Sequence, residues 1–129
     1  MGVTEATPFR ANVFDPNCPG RGVMEHVASR WGVLVLGVLL DGTLRFGEVR
    51  QAVGGVSEKM LAQTLQALER DGLVHREVRP VIPPHVDYSL TDLGRPIAEG
   101  VRGLYRLIEE STPSVLVAQA AFDERKAAR

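Results

Sequence analysis

The sixteen residues from Ser57 to Gly72 hold a complete helix with both ends marked. Ser57 supplies a hydroxyl that can accept from a free backbone N–H of the first turn. Gly72 supplies a residue that enters positive φ without a Cβ clash, which stops a helix. Between them Leu61, Leu65 and Leu68 recur at i, i+4 and i+7 and form one apolar stripe. A chain carrying this segment has to bury that stripe under other elements. At about 100° per residue, Lys59, Gln63, Gln66 and Arg70 project from the opposite side. That row holds two cations and two amides and no carboxylate. Cations neutralise phosphate, and amides pair with base edges in a major groove, so the row fits a helix that reads DNA. The same residue types are ordinary on a solvated helix face, and the flanking segments have to separate the two readings.

Upstream, Cys18-Pro19 opens a first helix, because proline is favoured at the first helical position, which makes Cys18 the N-cap. Val23, Val27 and Trp31 mark its buried face, and it ends near Ser29-Arg30. A strongly apolar second helix runs through Leu40 and is broken by Asp41-Gly42. Leu44-Arg45-Phe46 is short enough for a bridge of strand. Phe46, Val49 and Val53 predict a helix of two turns, and Val53-Gly54-Gly55-Val56 is the turn joining it to the Ser57 helix. Two helices at this separation fit a helix-turn-helix.

Downstream the period changes. Residues 73–78 and 86–90 alternate loosely around Arg79-Pro80-Val81-Ile82-Pro83-Pro84-His85, whose prolines disfavour helix and ladder pairing. This predicts a hairpin with a long, stiff tip: a wing. Thr91 then caps a helix to about Glu110, with Leu93, Ile97, Val101, Leu104 and Ile108 inward. Ser111-Thr112-Pro113 ends it, and residues 114–127 form one more helix. Gly94, Gly100 and Gly103 weaken the Thr91 helix by about 1 kcal/mol each relative to Ala. Something must therefore pack on it, such as the same helix of a second subunit. Helix, helix, short strand, helix, helix, hairpin, helix is the order of a winged helix-turn-helix, a mainly α fold with a small β-hairpin wing. The expected division is an N-terminal arm over 1–17, a DNA-binding domain with its dimerisation helix over 18–110, and a helical C-terminal extension over 111–129. The arm offers Phe9 and Phe14 to a partner subunit.

A length of 129 residues fits one such domain with some tail, and its 44% hydrophobic content suits a water-soluble core. The net charge of −1 removes any global attraction to nucleic acid, so DNA affinity has to come from a local patch. The longest apolar run, residues 33–40, is shorter than the roughly 20 residues a membrane span needs. The N-terminus has neither a basic start nor an apolar signal core, so a cytoplasmic location is expected. One cysteine excludes an intrachain disulfide and a zinc site built on several thiolates. His26, His75 and His85 have no ligand spacing, so neither metal nor other cofactor is expected. No Ser-His-Asp pattern, phosphate loop or nucleotide fingerprint occurs. An enzyme using Cys18 as nucleophile would lack a base, since His26 lies on the adjoining helix with no third group to orient it.

Several of these pieces resemble one family. Cys18-Pro19, Arg30-Trp31, Leu44-Arg45-Phe46-Gly47-Glu48-Val49, Lys59-Met60-Leu61, Leu68-Glu69-Arg70-Asp71-Gly72-Leu73-Val74 and the stretch from Pro83 to Gly94 look like the HxlR-type branch of the MarR-like winged-helix transcription regulators. The resemblance covers roughly residues 18–108. It implies a bacterial or archaeal homodimer, joined through its N- and C-terminal helices, that binds double-stranded operator DNA and regulates nearby genes, here as a repressor. Several members sense oxidants or electrophiles through the thiol of a Cys-Pro start, which puts Cys18 forward as a redox sensor and a redox or small-molecule effector as its partner. The chain departs from the family in places. Arg30 stands where Lys commonly precedes the Trp, which keeps the charge. The wing carries His85-Val86-Asp87-Tyr88 where Arg or Lys before Val-Glu-Tyr is usual, and a neutral His contacts phosphate more weakly. Residues 113–129 run past the match.

The expected DNA-binding residues are Lys59, Gln63, Gln66, Arg70 and Ser57 on the reading helix, Arg45 just before and Arg50 at the end of the helix that precedes it, and Arg79 and His85 on the wing. Lys59 sits where the helix start would point at the groove, and Arg70, between Glu69 and Asp71, competes with a surface ion pair. Arg45 and Arg50 either hold phosphates or are merely exposed. Arg79, beside the tip, is the best-placed cation among Arg76, Arg79 and His85. At Cys18 a helix N-terminus and the charge of Arg21 favour the thiolate, against a half-buried inert cysteine. Without a second cysteine, oxidation would have to join two subunits or capture a small thiol. The competing function is a protein-interaction module that kept the fold without DNA binding, which the near-neutral charge favours.

Overall fold

A computed structural model describes residues 9–129, and the part of the expected arm over residues 1–8 lies outside the described residues. Helix α1 runs Pro19–Val27, α2 Arg30–Leu39, α3 Phe46–Ala52, α4 Glu58–Arg70 and α5 Gly94–Ala127, with strands β1 Leu44–Arg45, β2 Val74–Arg79 and β3 His85–Leu90. This is the winged helix-turn-helix order expected above.

Single side chains set most of the boundaries. The Ser29 hydroxyl donates to the His26 carbonyl at 2.9 Å and accepts from Gly32 N–H at 3.0 Å, so one group closes α1 and opens α2. The Ser57 hydroxyl accepts from Met60 N–H at 3.1 Å and caps α4. At the other end Gly72 takes φ 78°. Leu73 N–H reaches back to the Leu68 carbonyl and Gly72 N–H to that of Glu69, both at 3.0 Å, which is the Schellman arrangement. Its apolar pair, Leu68 and Leu73, is buried in the core.

The leucine stripe of α4 lies at the centre of that core. Leu61, Leu65 and Leu68 are at most 1% exposed, and burying each contributes about 1.5–3 kcal/mol. They pack with Val35, Leu36 and Leu39 of α2, Val49 of α3, Val53 and Val56 of the turn, and Ala98 and Val101 of α5. The sheet has the order β1-β3-β2, all antiparallel. Val74 opposite Leu90 and Leu44 opposite Tyr88 fix its register. Val74, Tyr88 and Leu90 therefore face the helices, while His75, Glu77, Arg79, His85 and Asp87 line the other face.

The C-terminal third departs from expectation. Pro113 does not end a helix: α5 runs through it as one element of 34 residues. The proline removes a donor to the Glu109 carbonyl, but that residue is exposed, and the Thr112 hydroxyl donates to the carbonyl of Ile108. The start differs in detail. Thr91 still performs the capping, accepting from Gly94 N–H at 2.9 Å and donating to the Gly72 carbonyl at 2.6 Å. Leu93, Leu104 and Ile108 are not inward but 55–61% exposed. The buried face of α5 is the small-residue row Gly94, Ala98 and Val101, followed by Tyr105 packed against the core. At 1.5 Å per residue α5 is about 50 Å long and α2, its main support, about 15 Å. The chain alone cannot cover α5 beyond its first turns.

Arg102 fastens that junction. Its Nη2 donates to the Gly37 carbonyl and to Asp41 Oδ1, both at 2.9 Å. The Asp41 contact is the main cause of a raised guanidinium pKa. Phe9 and Phe14 are exposed in the single chain. No single helix is long and apolar enough to cross a membrane.

Candidate nucleic-acid interface

Burial of the leucine stripe turns the opposite side of α4 outward, and Lys59, Gln63, Gln66 and Arg70 are all exposed along it. The helical rise from Lys59 to Arg70 gives that row a length of about 16 Å. Glu58 and Glu69 are also exposed, and their positions in the helical period put them on its flank rather than in the row. Thr64 is half-buried and its hydroxyl donates to the Met60 carbonyl at 2.8 Å, so it is turned back along the helix. Ser57 is exposed at the helix start, with its oxygen engaged in the cap. Substituting Ser57 by Ala is expected to cost about 1 kcal/mol of stability, measured by urea denaturation. An unchanged midpoint would show that the cap contributes nothing.

The surroundings sort the remaining cations by whether their charge is already matched. Arg50 Nη1 lies 3.5 Å from Glu58 Oε1, and its Nε donates to the Val56 carbonyl at 3.4 Å. It therefore ties α3 to the first turn of α4 and helps set the angle of the motif. Arg45 is exposed at the end of β1. Its backbone N–H donates to Glu48 Oε1 at 2.8 Å, which is half of a capping box, since a guanidinium has no acceptor to return. Arg79 Nε donates to Asp87 Oδ2 at 2.9 Å, and its Nη1 lies 3.2 Å from Glu77 Oε2. Those two carboxylates, Asp87 first, raise the Arg79 pKa above its ordinary value. His85 Nε2 is 3.4 Å from Asp87 Oδ1, and its buried Nδ1 has no hydrogen-bond partner. Arg70 forms no ion pair among the described residues, because Asp71 is occupied elsewhere.

That occupant is His26. Its Nδ1 lies 2.6 Å from Asp71 Oδ2, whose side chain is only 6% exposed. The contact joins α1 to the C-terminal end of α4, and nothing in the sequence signalled it, since the partners are 45 residues apart. The three histidines thus do not converge. Each lies against a carboxylate, His26 on Asp71, His75 on Glu77 and His85 on Asp87. Arg30 stacks over Trp31, with Cζ 4.6 Å from the ring centroid, and Trp31 is half-buried against the core.

Cys18 occupies the N-cap position of α1 and is half-buried. Its sulfur accepts from Asn12 N–H at 3.2 Å. The Arg21 guanidinium donates to the Val13 carbonyl at 3.2 Å. Both contacts bind residues 12–13 to the start of α1, so the sulfur sits where arm and helix meet.

A cap-to-stop helix with a polar outer row, the preceding two-turn helix and a hairpin beside it are the parts of a DNA-reading module. Known proteins agree. Residues 26–115 match the model of the HxlR-like helix-turn-helix family. The HTH-type transcriptional regulator YtfH of Escherichia coli K12 is 55% identical over 116 residues, 90% of each chain. Among solved structures, the transcriptional regulator ytfH from Salmonella typhimurium superposes with TM-score 0.82 and 53% identity, covering 86% of this chain and 99% of that one. The oxidised form of the redox regulator HypR superposes with TM-score 0.66 and 34% identity, covering 72% and 96%. With fold, motif and relatives in agreement over most of its length, the chain belongs to the HxlR-like helix-turn-helix family of transcriptional regulators.

Proposed function

We propose that the protein is a homodimeric repressor whose two α4 helices enter successive major grooves of a palindromic operator, in the cytoplasm, and that oxidation at Cys18 releases it. The observation that carries the reading is the exposed row of Lys59, Gln63, Gln66 and Arg70 on a helix held rigid by its own leucine stripe. A second copy is supported by α5. Leu104, Ile108, Val115 and Phe122 recur at spacings of four and seven and are 45–56% exposed. Such a stripe along a projecting helix is suited to another helix. Lys59 and Arg70 bracket the row with positive charge, and Gln63 and Gln66 supply the amides that pair with adenine edges. No catalytic step is assigned to Cys18.

The test is to retain sheared genomic DNA on the purified protein and footprint the fragment that binds. The expected footprint has two-fold symmetry, with half-sites about 10–10.5 base pairs apart or a multiple of that. Failure to retain any fragment at low salt, together with a stable complex with another protein, would turn the assignment to the interaction module.

The redox part has its own measurement. HypR is a redox regulator, and Cys18 stands at the junction of arm and α1. Hydrogen peroxide would oxidise the thiol to a sulfenic acid with release of water, and a second thiol, either the partner's or a small one, would then displace that oxygen as a second water to form a disulfide. Wild-type protein treated with peroxide is expected to lose operator affinity about tenfold, a typical coupling between sites, while Cys18→Ser keeps it. Equal losses in both would remove Cys18 from sensing.

A further inference from the structure

The hairpin carries more charge than it can offer to DNA. Its outer face presents Arg79 against two carboxylates, Glu77 and Asp87, with His75 and His85 beside them. One cation and two anions leave that face negative while the histidines are neutral. Arg79 donates to Asp87 across the strand pair and lies against Glu77 of its own strand. To reach a phosphate it would have to leave both acids and strand them next to a polyanion.

Arg76 stands differently. Strand alternation puts it on the same side of β2 as Val74, the side facing the helices, and its partner across the ladder is Tyr88. It is exposed and forms no ion pair among the described residues. With Ala62, Gln66, Glu69 and Tyr88 it lines a concavity at the seam between α4 and the hairpin. Gln66 belongs to the outward row of α4, so this guanidinium opens beside the residues that face the groove.

We propose that Arg76 is the hairpin's phosphate contact, gripping the DNA backbone along the edge of the groove that Gln66 faces, and that Arg79 is a clasp between the two strands rather than a DNA ligand. The inference rests on the assignment of α4 as the reading helix. A guanidinium presents a fork of N–H donors matched to phosphate oxygens, and Arg76 can turn to a phosphate without breaking an ion pair, although Glu69 shares its concavity. The acids Glu77 and Asp87 then act against binding at the wing, which limits how far it can close on the duplex.

Phosphate contacts are independent of sequence, so the test needs no operator. The probe is a labelled mixed-sequence duplex long enough for two half-sites, titrated by fluorescence anisotropy over a range of NaCl concentrations. Arg76→Gln is expected to reduce the slope of log affinity against log salt by about 0.9 for each phosphate no longer neutralised. Arg76→Lys is expected to restore most of it, since the charge returns. Arg79→Gln is expected to leave the slope unchanged while lowering the melting temperature, because the two strands are no longer clasped. Arg76→Gln should melt with the wild type, which separates a missing phosphate grip from a damaged fold. An unchanged slope in Arg76→Gln, or an equal reduction in Arg79→Gln, overturns the inference. Wild-type binding that Lys59→Ala weakens and Arg76→Gln does not would overturn this inference alone. A wild type that binds no duplex at any salt would overturn the DNA-reading assignment, and this inference with it.

Discussion

Replacing Lys59 and Gln63 together by alanine is expected to lower operator affinity by about 2–6 kcal/mol, because each well-made base contact discriminates by about 1–3 kcal/mol. At 1.4 kcal/mol per decade the lower bound is already about thirtyfold. The two residues lie one turn apart on the exposed face of α4, so one groove passage meets both. Neither side chain makes a hydrogen bond or ion pair among the described residues, and alanine favours helix, so the melting temperature should not fall. That separation gives the experiment its force: binding goes and the fold stays. The retained operator fragment is the ligand, measured at fixed low salt. Equal affinity of the double variant and the wild type would remove α4 from the reading role and leave the outer row a solvated surface.

The second large effect is expected at a glycine where helix propensity and packing give opposite answers. In an exposed helix Gly94→Ala would stabilise by about 1 kcal/mol. In this fold a Cβ at position 94 would collide with the carbonyl group of Leu73. The obstacle is backbone, held in the Schellman turn that ends α4 and leads into β2, so it cannot rotate away. The first turn of α5 would have to lift off the corner between α4 and the hairpin, breaking the hydrogen bonds Thr91 makes with Gly72 and Gly94. A loss of about 3 kcal/mol follows from overpacking of this kind, or about 10 °C in melting temperature for a domain of this size. Gly103→Ala is the control, since a Cβ there meets nothing within 4 Å. It should move the midpoint slightly upward. A Gly94→Ala protein melting at or above the wild type would show that α5 does not seat on Leu73 as described.

The two experiments bear on one design. α4 is gripped from behind, by its leucines in the core, by Arg50 at its first turn and by His26 at its last. The seat of Gly94 on Leu73 closes the corner where the C-terminus of α4 passes into the hairpin. A protein without that corner would lose the angle between helix and wing before it lost the helix.

Much of this was readable in the sequence because the deciding interactions are short in chain distance. The cap at Ser57, the stop at Gly72, the leucine period, the glycine-bearing turn before α4 and the proline-rich hairpin tip each depend on residues within a turn or two. The family resemblance drew on the same local pieces. Other features had no local signal. Asp71 was expected to compete for Arg70, its neighbour, and instead pairs with His26. Arg79 stood out as the cation nearest the tip, yet its guanidinium is held by Asp87 and Glu77, and Arg76 is the one left at the seam with α4. Leu93, Leu104 and Ile108 were placed inward by period alone, whereas α5 buries the row Gly94, Ala98 and Val101, followed by Tyr105 against the core, and α2 is too short to cover the helix beyond it.

By itself, then, the sequence determined which segments become helix, strand and turn, and which side of α4 meets the core, since burying Leu61, Leu65 and Leu68 leaves only one way round. Only the tertiary structure decided which charges remain available and where α5 ends. A charge pairs with whatever the chain brings back to it from across the fold, and α5 runs on through Pro113 because water can solvate the carbonyl that the proline leaves unpaired.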